Sequence, residues 1–181
     1  RQSWLAGTQG RLSPVKLTQQ PYWEIAMHPF DAAQPPRLAL LLGYAGLIPF
    51  ISGAIGIWIT PLAWRTDVLT AQLHYAAVIL AFMGAIHWGL AMARERQDNA
   101  ARLQLGLSVL PALLGWLAIS NGLPALLALG LLFSGFIGLY LADLRAVKLQ
   151  LAPRWYPALR KPLTIGVLSA LLASWLGVLI R

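Results

Sequence analysis

The sequence predicts an all-α fold: an integral membrane bundle of five transmembrane helices, N-terminus cytoplasmic and C-terminus outside. Three observations lead there. The 181 residues are 58% hydrophobic and only 11% charged, with a mean hydropathy of +0.64, far more apolar than a soluble domain of this length needs to be. The charges are confined, leaving uncharged runs of 27, 26, 40 and 19 residues after Arg37, Asp67, Arg102 and Lys161. Once those runs are laid across a bilayer, the basic residues gather on one side of it.

Residues 1–36 form a polar leader containing Pro14, Pro21, Pro29, Pro35 and Pro36, with no apolar run long enough for a signal peptide. Little fixed structure is expected there. Met27 is an alternative start, and an Arg-bearing organelle-targeting segment is the rival reading. The five-helix domain is expected over 37–181.

A hydrocarbon core about 30 Å thick is crossed by roughly 20 helical residues, so the runs of 27, 26 and 19 hold one span each. The run of 40 would make a helix about 60 Å long, twice that thickness. It is divided by Ser120-Asn121-Gly122-Leu123-Pro124, a turn-forming cluster, and reads as two spans. The spans are therefore placed near 38–59, 69–93, 103–119, 123–142 and 163–180.

Pro49 and Pro111 remove backbone hydrogen bonds and are expected to kink the first and third spans. Small residues recur every fourth position at Ala77, Ala81, Ala85, Gly89 and Ala93, at Gly130, Ser134, Gly138 and Ala142, and at Gly166, Ala170 and Ser174. Such ribbons are expected to be the faces on which helices meet. Between the fourth and fifth spans, Arg154, Trp155, Tyr156, Arg160 and Lys161 set aromatics beside cations, a composition suited to an anchor at the lipid headgroups or to a partner-docking surface.

Fourteen Lys and Arg against six Asp and Glu give a net charge of +8. Alternating sides place Arg1, Arg11, Lys16, Arg37, Arg94, Arg96, Arg102, Arg145, Lys148, Arg154, Arg160 and Lys161 together, with only Arg65 and Arg181 opposite. Positive-inside asymmetry accounts for that charge, so no nucleic-acid partner is invoked. The sequence has no cysteine, which excludes disulfides, thiol catalysis and cysteine-ligated metals from this stretch of chain.

Polar chemistry within the spans centres on Gly84-Ala85-Ile86-His87-Trp88-Gly89. His87 lies about 10 Å beneath the helix end marked by Arg94, and its side of the helix differs from that of Ala85 and Gly89. A ring there needs its N–H satisfied by protein or water. Asp143, with Tyr140 one turn earlier and Arg145, Arg160 and Lys161 following nearby, is expected on the same side of the membrane, and these groups could pair with His87 or bracket a polar vestibule. His74 cannot join His87 on one metal, because thirteen residues separate them by about 19.5 Å. No other span carries a histidine to complete a bis-histidine haem site, so no cofactor and no metal are expected. Metalloprotease, paired-aspartate and Gly-x-Ser-x-Gly patterns are missing as well.

The order of "LGYAGLIPF", "GAIHWG", "YLADLR" and "WYPALRKPLT" resembles an uncharacterised bacterial family of small multi-pass membrane proteins whose eukaryotic relatives include the mitochondrial transmembrane protein 69. The likeness runs from about Pro36 to Ile180. It implies an inner-membrane protein of about five spans, bacterial rather than mitochondrial because the loops are short, and it supplies no reaction, substrate or cofactor. The expected function is a non-enzymatic one, through helix association with a membrane-protein partner or a second copy, or through organising lipid. The alternative is a small transporter or proton-coupled carrier using His87 and Asp143.

Overall fold

A computed structural model describes residues 34–93, 99–120 and 122–180. Leader residues 1–33 and residues 94–98 lie outside the described residues. Within them are seven helices: α1 (Arg37–Ala45), α2 (Ile48–Ile59), α3 (Leu62–Met92), α4 (Asn99–Leu107), α5 (Leu110–Ala118), α6 (Ala125–Lys148) and α7 (Tyr156–Ile180). They compose five segments long and apolar enough to cross a membrane, with α1 and α2 sharing the first and α4 and α5 the third.

Both divided spans break where a proline requires it. Pro49 and Pro111 each sit in the first turn of the second helix of their pair, where a missing N–H costs nothing. The residues just before each proline close the preceding helix instead, Gly46 and Leu47 donating to Leu42 and Tyr44, and Ser108 to Gln104.

The other three helices outrun the predicted spans, because a charge ends a membrane run without ending a helix. α3 starts at Leu62 rather than 69, follows Pro61, and contains Arg65 and Asp67. Its 31 residues make a rod about 46 Å long, so part of it stands outside the hydrocarbon. α6 continues past 142 to Lys148, with Arg145 and Lys148 in its last turn where they complement the helix dipole. α7 begins at Tyr156 rather than 163 and carries Pro162 inside it. The connection between them shrinks to 149–155. It opens with Gln150 at φ 56° and a bond from Leu151 N–H back to the Ala146 carbonyl at 2.7 Å, the Schellman way of ending a helix.

α3 is the hub, in contact with α2, α4, α5 and α6, while α7 closes the bundle against α1, α2 and α6. The core forms around Phe50, fully buried, which meets Tyr75 and Phe136 edge-on at 5.2 and 5.9 Å. A second polar contact ties the same region. Gln72 donates to the Phe50 carbonyl at 3.0 Å and accepts from Ser174 at 2.7 Å.

The small-residue ribbons divide. Gly166 lies against Leu47, Gly130 lies against Trp175, and Ala170 is buried. On α3, by contrast, Ala85 and Gly89 are exposed, and nothing lies within 4 Å of a side chain built at Gly89. Their expected role as an interhelical face is not what the chain shows. Small residues permit close approach but do not choose it; of that ribbon Ala77 alone is buried, beside Ala76, Leu80, Gly84 and His87, the stripe that also satisfies the polar ring. There the backbones come very close. A Cβ on Gly84 would stand 2.6 Å from the Ser108 carbonyl oxygen, and one on Gly115 would stand 2.9 Å from that of Ala77. Gly84→Ala is expected to lower stability in thermal unfolding of the detergent-solubilised protein by about 1–3 kcal/mol through overpacking. Gly89→Ala should leave it unchanged or slightly raised.

Candidate functional site

The polar residues of the membrane interior converge at the end of the bundle where α3 finishes, α4 begins, α6 finishes and α7 begins. Asp143, 1% exposed, is the centre. Its Oδ2 accepts from Arg160 Nε at 2.7 Å and its Oδ1 accepts from His87 Nε2 at 2.8 Å. On the far side of the ring, the Gln104 amide nitrogen donates to His87 Nδ1 at 3.1 Å. That bond makes Nδ1 an acceptor and places the proton of the neutral imidazole on Nε2, facing the carboxylate. A four-residue chain, Arg160–Asp143–His87–Gln104, thus links α7, α6, α3 and α4. All four residues are at least nine-tenths buried.

The chain is close to electrically neutral, one guanidinium against one carboxylate. Arg160 also directs Nη1 at Met83 Sδ, 2.8 Å away. Tyr156, Arg160 and Thr164 follow one another at four-residue spacing, so they form one buried stripe of α7 behind Asp143. Four atoms around the chain have no hydrogen-bond partner among the described residues: Gln104 Oε1, Tyr156 OH, Arg160 Nη2 and Thr164 Oγ1.

A cavity of about 600 Å³ adjoins this chain. α5 packs on both α3 and α6, whereas α4 leans on α3 and stands off α6; the cavity lies in that fork. It runs from Asn99 and Arg145 at one end to Leu114 and Ser134 at the other, with His87, Gln104 and Ser108 on its wall. The rest of the surface is apolar. Ser134 and Gly138 are exposed into it and Ala142 lines it, so this ribbon makes room where the sequence suggested a helix contact.

The residues singled out in the sequence are thereby sorted. His87 and Asp143 are hydrogen-bonded, and Arg145 is exposed at the cavity rim. Tyr140 is half-buried and takes no part in the four-residue chain. Of the expected interface anchor, Arg154 and Lys161 are exposed and Trp155 is half-buried. Tyr156 and Arg160 instead turn inward, 6% and 5% exposed. The extra turns of α7 bring that correction, since they place Arg160 opposite a carboxylate that needs a cation. His74 is exposed, its Nδ1 on the Thr70 carbonyl at 2.7 Å.

Gln104 and Gln72, the latter bonded to the ribbon residue Ser174, are polar residues that sequence reasoning passed over. A lone amide inside an uncharged run was the available signal, because amides in hydrocarbon require partners just as a histidine does.

The model of the family described as "Protein of unknown function (DUF3429)" matches residues 35–176. The chain belongs to this family. Among similar proteins, "Transmembrane protein 69" of Xenopus tropicalis is 36% identical over 139 residues, 77% of this chain and 54% of its own length. The Mus musculus protein of the same name is 33% identical over 84 residues, 46% of this chain and 34% of its own. The chain therefore spans about half the length, or less, of these relatives. No solved structure matches it. The 35–176 segment contains every member of the buried polar chain, and the family description assigns them no activity.

Breaking the ion pair one partner at a time is expected to be costly. Asp143→Ala strands a buried guanidinium and should destabilise the detergent-solubilised protein by about 3–5 kcal/mol. The double variant Asp143→Leu with Arg160→Met should be the more stable of the two in the same unfolding measurement.

Proposed function

We propose that this member of the DUF3429 family is a non-enzymatic component of the bacterial inner membrane that organises lipid by holding one amphiphile in the cavity between its third and fourth spans. The single observation that carries this reading is the shape and chemistry of that cavity. It is long and largely apolar, within the volume range of sites that enclose one small molecule, and apart from Ser134 at the far end its polar side chains are Asn99, His87, Gln104, Ser108 and Arg145. A chain in the apolar part with a polar head on those residues satisfies both halves.

The positive-inside asymmetry supports an orientation with this end of the bundle at the cytoplasmic leaflet. Arg145 at the rim would meet the anionic headgroup layer there. A second reading, a proton-coupled carrier, draws support from His87 on the cavity wall with Asp143 bonded behind it, and from the helix breaks before Pro49 and Pro111.

Gly138 provides the test, since nothing lies within 4 Å of a Cβ built there and it lines the cavity. Gly138→Trp should fill the fork without disturbing the fold. Native mass spectrometry of the protein released from mild detergent is expected to show one retained amphiphile on the wild type and a loss of at least tenfold in occupancy on the variant. A wild type that carries none, or a variant that carries as much, would overturn the proposal.

A further inference from the structure

Depth, an open side and the charge at its mouth together fix what kind of amphiphile the cavity takes. Eleven residues of α6 separate Arg145 at the mouth from Ser134 at the far end, a rise of about 16 Å. Half of a hydrocarbon core about 30 Å thick is nearly the same distance. The cavity is therefore as deep as one leaflet, with its mouth at the headgroups and its floor near the mid-plane. The floor closes where α5 settles on α6, Leu114 standing 3.8 Å from a Cβ built on Gly135.

α3 is the one described helix that packs on both α4 and α6, and it backs the cavity through His87. No other described helix spans the fork. Leu103 and Leu107 line the cavity and are still 54% and 48% exposed, so the fork opens sideways, toward the acyl chains of the surrounding bilayer. A bilayer lipid can place one chain in it and leave the other outside.

The mouth is cationic. Arg145 is exposed there with no hydrogen-bond or ion-pair partner among the described residues, and Asn99 at the start of α4 lines the same end. Arg102, Lys148, Arg154 and Lys161 are also exposed at this end of the bundle. The one described carboxylate here, Asp143, is buried with its oxygens bonded to Arg160 and His87. An anion at the mouth thus meets a free guanidinium and no exposed described carboxylate. A guanidinium fork suits two oxygens of a phosphate, and an amide adds a donor.

We infer, resting on the cavity reading above, that the amphiphile is a two-chain anionic phospholipid of the leaflet on the Arg145 side. It enters the fork sideways. Its phosphate sits on Arg145 and Asn99, one acyl chain lies along α6 as far as Ser134, and the other stays in the bilayer. Arg145 and Asn99 select the head, and the floor at Ser134 sets the chain length.

Native mass spectrometry tests this on the full chain, released from mild detergent after equilibration with equimolar phosphatidylglycerol and phosphatidylcholine of matched chains. One retained phospholipid is expected, with phosphatidylglycerol favoured about fivefold or more, the scale of one cation at a membrane surface. Arg145→Gln alters an exposed side chain, so it should fold normally, retain one lipid and show near parity between the two heads. Arg154→Gln removes an exposed cation that does not line the cavity, and should keep the wild-type preference. Ser134→Phe raises the floor and disturbs only a bond within α6, from the Ser134 hydroxyl to the Leu131 carbonyl. It should shift retention from dipalmitoyl toward dilauroyl phosphatidylglycerol at least fivefold, because the last methylenes of the longer chain lose their burial.

Equal retention of the two heads by the wild type, an unchanged preference in Arg145→Gln, an equal loss in Arg154→Gln, or an unchanged chain preference in Ser134→Phe would each overturn the inference and leave the amphiphile reading standing. Preferential retention of single-chain lysophosphatidylglycerol would do the same. Displacement of the lipid by inorganic phosphate would assign the mouth to a soluble anion and overturn it too. A wild type that retains no amphiphile would remove the cavity reading along with it.

Discussion

Asp143 is the constraint on which the rest of this structure leans. A carboxylate taken out of water costs several kcal/mol unless a cation and further donors replace its hydration, and Asp143 is 1% exposed. Arg160 supplies the cation and His87 the second donor, so three long helices must converge at one end of the bundle. The requirement explains features that look unrelated at first sight. α7 begins before the apolar run does because its first turns carry Arg160 inward. α6 extends beyond its apolar run because Asp143 needs helical backbone on both sides to hold its direction. The His87 ring is fixed in one tautomer because a carboxylate stands on one side and an amide nitrogen on the other.

The cavity is the indirect product of the same arrangement together with the break between α4 and α5. Pro111 lets the third span change direction, so α5 can follow α6 while α4 follows α3 to bring Gln104 to His87. What is left between α4 and α6 is floored by Ser134, Gly138 and Ala142, too small to fill it. Polar order and empty volume are thus two consequences of one helix break. An occupant placed there lies beside His87 and Gln104, which both line the cavity.

Much of the fold was legible in the sequence for a simple reason: hydrocarbon tolerates so few charges that their spacing marks each span. The turn at Ser120 to Pro124 and the two prolines were equally readable, since each acts through local backbone geometry. Helix ends were not, because Asp143, Arg145 and Lys148 are acceptable helix residues and only the membrane run stops at them. Nor were interhelical faces readable from small residues alone. Gly84 and Gly89 look alike in sequence, yet one lies against a neighbouring backbone and the other faces outward. Of the site, His87 and Asp143 stood out as polar groups in apolar surroundings. Arg160 was placed near them but assigned to a basic, aromatic stretch that suits the membrane surface, and Gln104 was disguised by carrying no charge.

Nitrogen NMR of the detergent-solubilised protein, labelled at the histidine rings and assigned with His87→Gln, measures the hydrogen-bonded chain most directly. Without an added ligand at neutral pH, the His87 signals should show a single neutral tautomer, protonated at Nε2 and bare at Nδ1, with the Nε2 proton shifted downfield by its bond to Asp143. A ring protonated at Nδ1 instead, or one averaging between both tautomers like a solvent-exposed histidine, would contradict the shared carboxylate and the account built on it.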